Sequence, residues 1–159
     1  MALTQDKIRP SRGVGMQVQI PIATSSTVYL GSLAVTRNTT GRLLAGTAAT
    51  GRRLAGVVVR KDSDASGNDG GSGVGVTSGT QKAMVEYGNE WLFTVKTAIR
   101  TNTSLGLDVF IADDDSVGGT GVGTAATRIA AGRLVRFEAA DKSTGWVAVG
   151  VFSKTNIAV

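Results

Sequence analysis

Short runs of β-branched and apolar residues, separated by glycine and small polar residues, are the feature that most constrains the fold of this chain. Met16 to Ile22 alternates apolar side chains with glutamines, and Arg53 to Arg60 is a more continuously apolar run. Alternation with a period of two is typical of half-buried strands, and helical periodicity is hard to find in the sequence. The 22 glycines fall largely between the runs, where they favour turns. The pattern predicts an all-β fold, a compact single-domain β-barrel (β-tulip-like) or a jelly-roll-like sandwich with long glycine-rich loops.

The turn signals predict how some of the strands connect. Gly88-Asn89 lies between apolar runs at 82–87 and 90–98, and this dipeptide is typical of a two-residue hairpin. Residues 129–138 and 146–153 are predicted to form a closing hairpin. No tandem repeat with a fixed period is visible.

Some segments differ in composition from the strand-forming body, which we place at residues 16–159. Residues 62–80 consist mostly of Gly, Ser, Asp and Thr and have almost nothing to bury, so they predict a long flexible loop. Residues 113–126 predict a second excursion rich in turns. Residues 1–15 contain Pro10 and few apolar side chains, so we expect an N-terminal arm. The arm either orders against a neighbour or is a disordered tail.

The positive charge is unevenly distributed along the chain. Residues 1–61 hold nine basic residues and one acid, whereas residues 62–159 hold eight basic residues and eleven acids. A polarised molecule of this kind suits docking onto an acidic surface, which could be nucleic acid or another protein. The alternative is scattered charge that keeps the protein soluble without a partner.

The residue types that are missing exclude several classes of chemistry. The chain has no cysteine and no histidine, which excludes disulfides, the usual zinc sites and nucleophiles that depend on histidine. The segment from Asp62 to Gly67 begins like a calcium loop, but its twelfth position is Gly73 where a glutamate is needed. The adjacent carboxylates at 113–115 would alternate faces in an extended chain and could not converge on one ion. We therefore expect no enzyme activity, no catalytic residues, no cofactor and no metal.

Several phrases, taken in order, resemble the small decoration proteins of tailed-bacteriophage heads, over residues 16–153. The phrases are Gly31-Ser-Leu-Ala-Val35, Arg53-Leu-Ala-Gly-Val-Val58, Val95-Lys-Thr-Ala98, Leu105-Gly-Leu-Asp-Val-Phe-Ile-Ala-Asp-Asp114, Ile129-Ala-Ala-Gly-Arg-Leu-Val135 and Gly145-Trp-Val-Ala-Val149. The resemblance implies a β-barrel or β-tulip body, usually a homotrimer at local threefold positions and in some relatives a dimer at twofolds. It also implies adhesion between neighbouring major capsid subunits. The loop at 62–80 and the basic N-terminal segment depart from the pattern.

The expected function follows from this resemblance. We expect a structural protein of the virion, made in the host cytoplasm and placed on the outer capsid surface. Its partners would be the major capsid protein and itself, without a membrane or direct nucleic-acid partner. The predicted capsid-binding residues are Lys7, Ile8, Arg9 and Arg12.

Alternative functions belong to other classes of protein. A tail-associated or fibre-associated module, or a carbohydrate-binding module, is the first alternative. A carbohydrate site would need exposed aromatic platforms such as Trp91 or Trp146, but both lie in apolar strand contexts typical of a core. An OB-like barrel that binds nucleic acid is the other alternative, and it would need aromatic residues interleaved with basic ones.

Overall fold

The fold consists of β-strands joined by turns, which confirms the predicted all-β class. The computed structural model describes residues 2–7, 9–24, 26–62, 76–77 and 81–152. The strands within these ranges are β1 (Ser11–Arg12), β2 (Met16–Pro21), β3 (Thr27–Val28), β4 (Leu33–Arg37), β5 (Leu43–Ala45), β6 (Arg52–Lys61), β7 (Val76–Thr77), β8 (Lys82–Tyr87), β9 (Glu90–Val95), β10 (Asp108–Ile111), β11 (Ser116–Gly118), β12 (Ala130–Phe137) and β13 (Thr144–Val149). Two short 3-10 turns, Thr97–Ile99 and Asn102–Ser104, separate β9 from β10. No helix in the described ranges is long and apolar enough to cross a membrane.

The strands form two five-stranded arrangements that follow each other along the chain. In the second, the strand order is β9-β11-β10-β12-β13, and β13 pairs back onto β9 to close a barrel. In the first, the order is β2-β8-β6-β4-β5, and a single parallel bridge between Ile22 and Leu43 brings its ends together. β1 adds to β9, and β3 pairs with β7 in a small separate sheet.

The two arrangements are copies of one structural unit, which we name the N-terminal unit (residues 16–88) and the C-terminal unit (residues 89–150). Each strand pairing in the first has a counterpart with the same register in the second. Equivalent pairs are Val18–Val85 and Trp91–Val147, Val58–Val85 and Leu134–Val147, Ala34–Gly56 and Val109–Gly132, and Val35–Leu44 and Phe110–Gly118. The bridge between Ile22 and Leu43 corresponds to the parallel pair formed by Val95 and Val117. The correspondence covers all five strands of each arrangement, whereas β1, β3 and β7 lie outside it.

Irregular backbone positions repeat as well. Gly31 and Gly106 have φ angles of 77° and 79°. Each lies two residues before a strand, β4 in the N-terminal unit and β10 in the C-terminal unit. Their N–H groups donate to the carbonyls of Val58 and Leu134, both at 2.8 Å. A register shift follows each of these two acceptor residues, in β6 and in β12. Because a bulge and a left-handed glycine are specific local solutions, their repetition shows that the units share one design.

Loop lengths explain why the repeat has no fixed period. Gly56 precedes its counterpart Gly132 by 76 residues, whereas Val85 precedes Val147 by 62. The difference arises between the last two strands, where residues 62–81 of the N-terminal unit correspond to the short turn at 138–143. The sequence therefore has no repeat with a fixed period, although the strand framework is duplicated.

The two units share one hydrophobic cluster, because the N-terminal unit carries apolar side chains on its outer face in addition to those in its interior. Leu33, Val35 and Val57 are fully buried in one cluster with Phe93 and Ile111 of the C-terminal unit. Their own counterparts are Asp108, Phe110 and Arg133, which are half-buried. The difference between the copies thus agrees with burial: the covered residues are all apolar, whereas two of their three half-buried counterparts are charged.

The predicted closing hairpin is confirmed as β12 and β13. The prediction of a hairpin at Gly88-Asn89 is wrong. β8 pairs with β2 and β6, and β9 pairs with β13, so the dipeptide is the junction between the units. Asn89 is buried, donates to Glu86 Oε1 at 2.6 Å and accepts from the Glu90 N–H at 2.8 Å. These bonds direct the chain into the other unit instead of back along β8.

The two predicted loops contain regular structure. Within residues 62–80, Val76–Thr77 form β7 against β3, while residues 63–75 and 78–80 lie outside the described residues, and with them most of the calcium-like segment. The excursion at 113–126 contains β11, a buried strand of the closed barrel. Small side chains concealed β11, since Ser-Val-Gly carries little of the apolar signal that identifies a strand.

Candidate functional site

The N-terminal segment is packed against the body, and this decides where the predicted capsid-binding residues lie. Lys7 and Arg9 converge on Asp115 of the C-terminal unit, while Arg12 lies over the ring of Trp146 at 4.7 Å. Ile8 is outside the described residues. The segment is therefore part of the folded body rather than a detached arm.

Arg9 is buried and links the two units through hydrogen bonds. Its side chain is 1 % exposed, and its guanidinium donates to the Gly31 carbonyl at 2.7 Å and to Asp115 Oδ1 at 2.6 Å. It also donates to the carbonyl of Leu92 and lies 4.1 Å above the Phe93 ring. Burial lowers the pKa of Arg9, and the hydrogen bond with Asp115 opposes that shift. With its donors used inside the molecule, Arg9 positions other groups and does not present its charge to a partner in this conformation.

Asp114 and Asp115, in the run of three aspartates at 113–115, bind described residues of the N-terminal segment. Asp114 accepts the Leu3 N–H at 2.8 Å, and burial, together with its acidic neighbours, raises the pKa of Asp114 despite that bond. Burial also acts to raise the pKa of Asp115, but hydrogen bonds from Lys7 and Arg9 outweigh it and bring the pKa below its usual value. A second buried pair, Lys61 Nζ with Asp6 at 2.7 Å, fastens the segment to β6. The aspartates therefore act in holding the N-terminal segment to the body.

Neither tryptophan offers a carbohydrate platform. Trp91 and Trp146 are 7 % and 6 % exposed, in agreement with the apolar contexts in the sequence. Trp146 is covered by the guanidinium groups of Arg12 and Arg136, and it donates to Glu138 Oε2 at 2.5 Å. In the part of the chain that the structure describes, no cluster of acidic residues has the arrangement of a metal site.

The strongest candidate for binding is a cleft between β6 and β12, which we name the arginine cleft. Its volume is about 510 Å³. The described residues that line it are Arg52, Arg53, Leu54, Ala55, Tyr87, Arg128, Ile129, Ala130, Gly150 and Phe152. Arg52 and Arg128 occupy equivalent positions in the two units, as do Leu54 and Ala130. The cleft thus lies where the duplicated strands approach each other.

The arginine cleft is positively charged without compensation. No carboxylate is among its described lining residues, and Arg52, Arg53 and Arg128 form no ion pair within the described part of the chain. Arg37 lies directly opposite Arg52 across β4 and β6, a like-charge pair that weakens a sheet. A fold keeps such an arrangement at a cost in stability, so an anionic partner that relieves it would bind favourably.

The individual arginines differ in how firmly they are held. Arg128 is half-buried over the Phe110 ring at 5.2 Å, and its Nε is buried without a hydrogen-bond partner in the described structure. Arg52 is half-buried and donates to the Thr47 hydroxyl, whereas Arg53 is exposed. Tyr87 and Phe152 add aromatic surface at the edge of the cleft. Planar guanidinium groups suit carboxylate or phosphate oxygens, so the cleft can hold an anionic group beside an apolar one.

Sequence reasoning missed this cleft because its parts are far apart in the chain. Arg52-Arg53 and Arg128 become one feature only when the duplication is known, since the two positions are equivalent. The available signal was the common pattern of an arginine three residues before an Ala-Gly pair, in Arg52 to Gly56 and in Arg128 to Gly132.

Comparison of this chain with protein-family models, with curated proteins and with solved structures returns no match. The resemblance to phage decoration proteins accordingly depends on the sequence phrases alone.

Proposed function

We propose that this protein is a decoration, or cement, protein that binds the outside of an expanded phage head and bridges neighbouring major capsid subunits. The observation that carries the proposal is the arginine cleft, a set of cations that has no carboxylate partner among the described residues. An acidic surface loop of a capsid subunit would supply the missing carboxylates. Lys7 and Arg12, both exposed, remain predicted contacts outside the cleft, as does Ile8.

The proposed mechanism is repeated weak adhesion. An exposed ion pair contributes only about 0–1 kcal/mol, so a single contact of this kind would not hold the protein to a shell. A protein that touches several subunits, or binds as a homotrimer or dimer, gains affinity from simultaneous engagement. Binding only to the expanded arrangement of subunits would stabilise that state selectively.

The test is binding to expanded heads that lack the protein, measured by co-sedimentation. Replacing Arg52, Arg53 and Arg128 together by glutamine should reduce occupancy at least tenfold while leaving the thermal midpoint nearly unchanged. Arg60→Gln, an exposed arginine of β6 outside the cleft, is the matched control and should bind like the original chain. Equal occupancy for the triple variant and the control would reject the cleft as the capsid contact, and no binding by the original chain would reject the function.

A second function is favoured by the aromatic rings at the edge of the cleft. Arginines beside Tyr87 and Phe152 on a five-stranded framework could take the phosphates and bases of a single-stranded nucleic acid. This candidate predicts that a fluorescent oligonucleotide binds with an affinity that falls steeply with salt, and that the triple variant loses the binding. A decoration protein would instead distinguish expanded heads from unexpanded shells and would ignore the oligonucleotide.

A further inference from the structure

In the described part of the chain, the outer edge of β2 carries no further strand, whereas its counterpart in the other unit is covered. In the C-terminal unit, Ser11–Arg12 pairs with β9 at Trp91 and Glu90. The equivalent stretch of the N-terminal unit is Gln17–Val18 of β2, which pairs with β8 on one side. On the other side, the contact of this segment recorded in the described residues is the bridge at Ile22, beyond the strand itself. Within the described residues, one unit therefore has an added strand at a position where the other unit has none.

The backbone of β2 presents hydrogen-bonding groups at this edge. The Ile22 N–H donates toward β8, to the Gln81 carbonyl, and the Ala23 N–H donates to the opposite side, to the Leu43 carbonyl. Because the direction alternates along a strand, the N–H and C=O groups of Gln17 and Gln19 point away from β8. Neither N–H has a backbone partner in the described structure, whereas Leu92, the counterpart of Gln19, donates to the Pro10 carbonyl at 3.2 Å.

The side chains of β2 leave this edge unprotected. Met16 and Val18 are 64 % and 43 % exposed, although their counterparts Asn89 and Trp91 are buried. Exposed edges are usually blocked by charged side chains, and residues 13–23 contain none. Pro21 limits pairing to residues 16–20, because it has no N–H to donate.

The order of side chains in β2 identifies a partner. Met-Gln-Val-Gln-Ile is symmetric in polarity about Val18. In an antiparallel pair of two identical strands centred on that residue, Val18 faces Val18, each Gln17 faces a Gln19, and each Met16 faces an Ile20. Both glutamine pairs have their N–H and C=O groups directed at the partner, so each forms two hydrogen bonds. The register thus satisfies the open backbone groups and covers the exposed apolar side chains together.

We propose that a second copy of this chain binds at the β2 edge, forming a twofold-symmetric, continuous sheet across two N-terminal units. The interface is isologous, since the same five residues contribute from each copy. It is short, so dimerisation is expected to depend on protein concentration. This inference does not rest on the proposed capsid function, and it can be tested on the purified protein.

The sharpest test uses single cysteines in the full-length chain, which has none of its own. Val18→Cys places two thiols in a pair without hydrogen bonds between them, where Cα atoms are about 4.5 Å apart and within reach of a disulfide. Under mild oxidation this variant should form a covalent dimer at least tenfold faster than Gln17→Cys or Met16→Cys. Val14→Cys, at a 97 % exposed position, measures linkage by random collision. Equal rates for all four variants would overturn the proposal.

A second test removes the open donor without a cysteine. Gln19→Pro eliminates an N–H that points away from β8, so the unit should still fold, and Gln19→Ala retains that N–H as the matched control. Sedimentation equilibrium should show dimers for the original chain and for Gln19→Ala, and a dissociation constant raised at least tenfold for Gln19→Pro. Monomers at every concentration would reject the dimer. Protection of the Val18→Cys thiol by phage heads, with no protection in the free protein, would assign the edge to a capsid strand and likewise overturn it.

Discussion

Gly56 and Gly132 occupy the same position in the two units, and at both the neighbouring strand excludes a side chain. Their φ angles are 137° and 154°. A Cβ would lie 2.4 Å from the Glu86 carbonyl oxygen at the first position and 2.0 Å from the Ala148 carbonyl oxygen at the second. The backbone of each long strand can therefore approach its partner only through a glycine.

Substitution of these glycines should be far more damaging than substitution of a glycine in an open turn. Gly132→Ala is expected to destabilise the protein by about 3 kcal/mol or more, because neither backbone can move without disturbing the barrel. Gly51→Ala is the control: its φ is 68°, but no atom lies near its Cβ position, so about 1–2 kcal/mol is expected. Thermal unfolding followed by circular dichroism measures both. A similar loss in the two variants would show that φ alone, and not the strand contact, requires glycine.

The sequence predicts those elements of the fold whose pattern is contained in a few neighbouring residues. The alternation at Met16–Pro21 and the apolar run at Arg52–Lys61 predict strands correctly, because their patterns are contained in a few residues. The Gly88-Asn89 dipeptide misled because tertiary pairing of the flanking strands overrides a turn preference. Burial of Arg9 could not be predicted at all, since its partners Gly31 and Asp115 are distant in sequence.

The aspartates that hold the N-terminal segment should respond oppositely to removal of charge. Asp115→Asn leaves Arg9 buried without its counter-ion, so a loss of about 3 kcal/mol is expected at pH 7. Asp114→Asn keeps an oxygen that can accept the Leu3 N–H and removes a buried like charge, so we expect little loss or a small gain. Chemical denaturation at pH 7 distinguishes the pair. Equal destabilisation would mean that the carboxylates act by shape and not by charge.

The pKa shifts of Asp114 and Asp115 also predict how the free energy of unfolding changes with pH. The pKa of Asp115 is lowered in the folded state, so its contribution is present above the unfolded value of about 3.9 and is lost as pH falls through the lower, folded value. The pKa of Asp114 is raised, so its stabilising effect exists at low pH and is lost as pH rises through the folded value. The difference between Asp115→Asn and the original chain should accordingly shrink below pH 4. A difference that stays constant from pH 7 to pH 2.5 would contradict this assignment.

Arg9 should tolerate replacement by lysine poorly, although the charge is kept. The guanidinium donates in three directions, to two carbonyls and to Asp115, and an ammonium group cannot reproduce that fork. We expect Arg9→Lys to lower the free energy of unfolding by about 2 kcal/mol, since buried carbonyls lose their donors. Lys7→Arg, at a 43 % exposed side chain, should change it by less than about 0.5 kcal/mol.

Removal of residues 1–12 separates a structural role of the N-terminal segment from an adhesive one. Truncation removes Lys7 and Arg9 from Asp115 and removes Asp6 from Lys61, and it uncovers the edge of β9 beside Trp91. Because a buried charge that loses its ion-pair partner is costly, the truncated protein should be strongly destabilised and prone to aggregate. A detached adhesive arm would instead leave the thermal midpoint unchanged.

Binding to heads must then be measured with variants that keep the segment folded. Lys7→Gln with Arg12→Gln removes the two exposed charges while Arg9, Asp6 and Leu3 retain their contacts. If the segment also contacts a capsid, this double variant should lose several-fold in occupancy at low salt and less at high salt, because screening weakens exposed charges. Unchanged occupancy, with a thermal midpoint equal to that of the original chain, would assign the segment to folding alone and leave attachment to the arginine cleft.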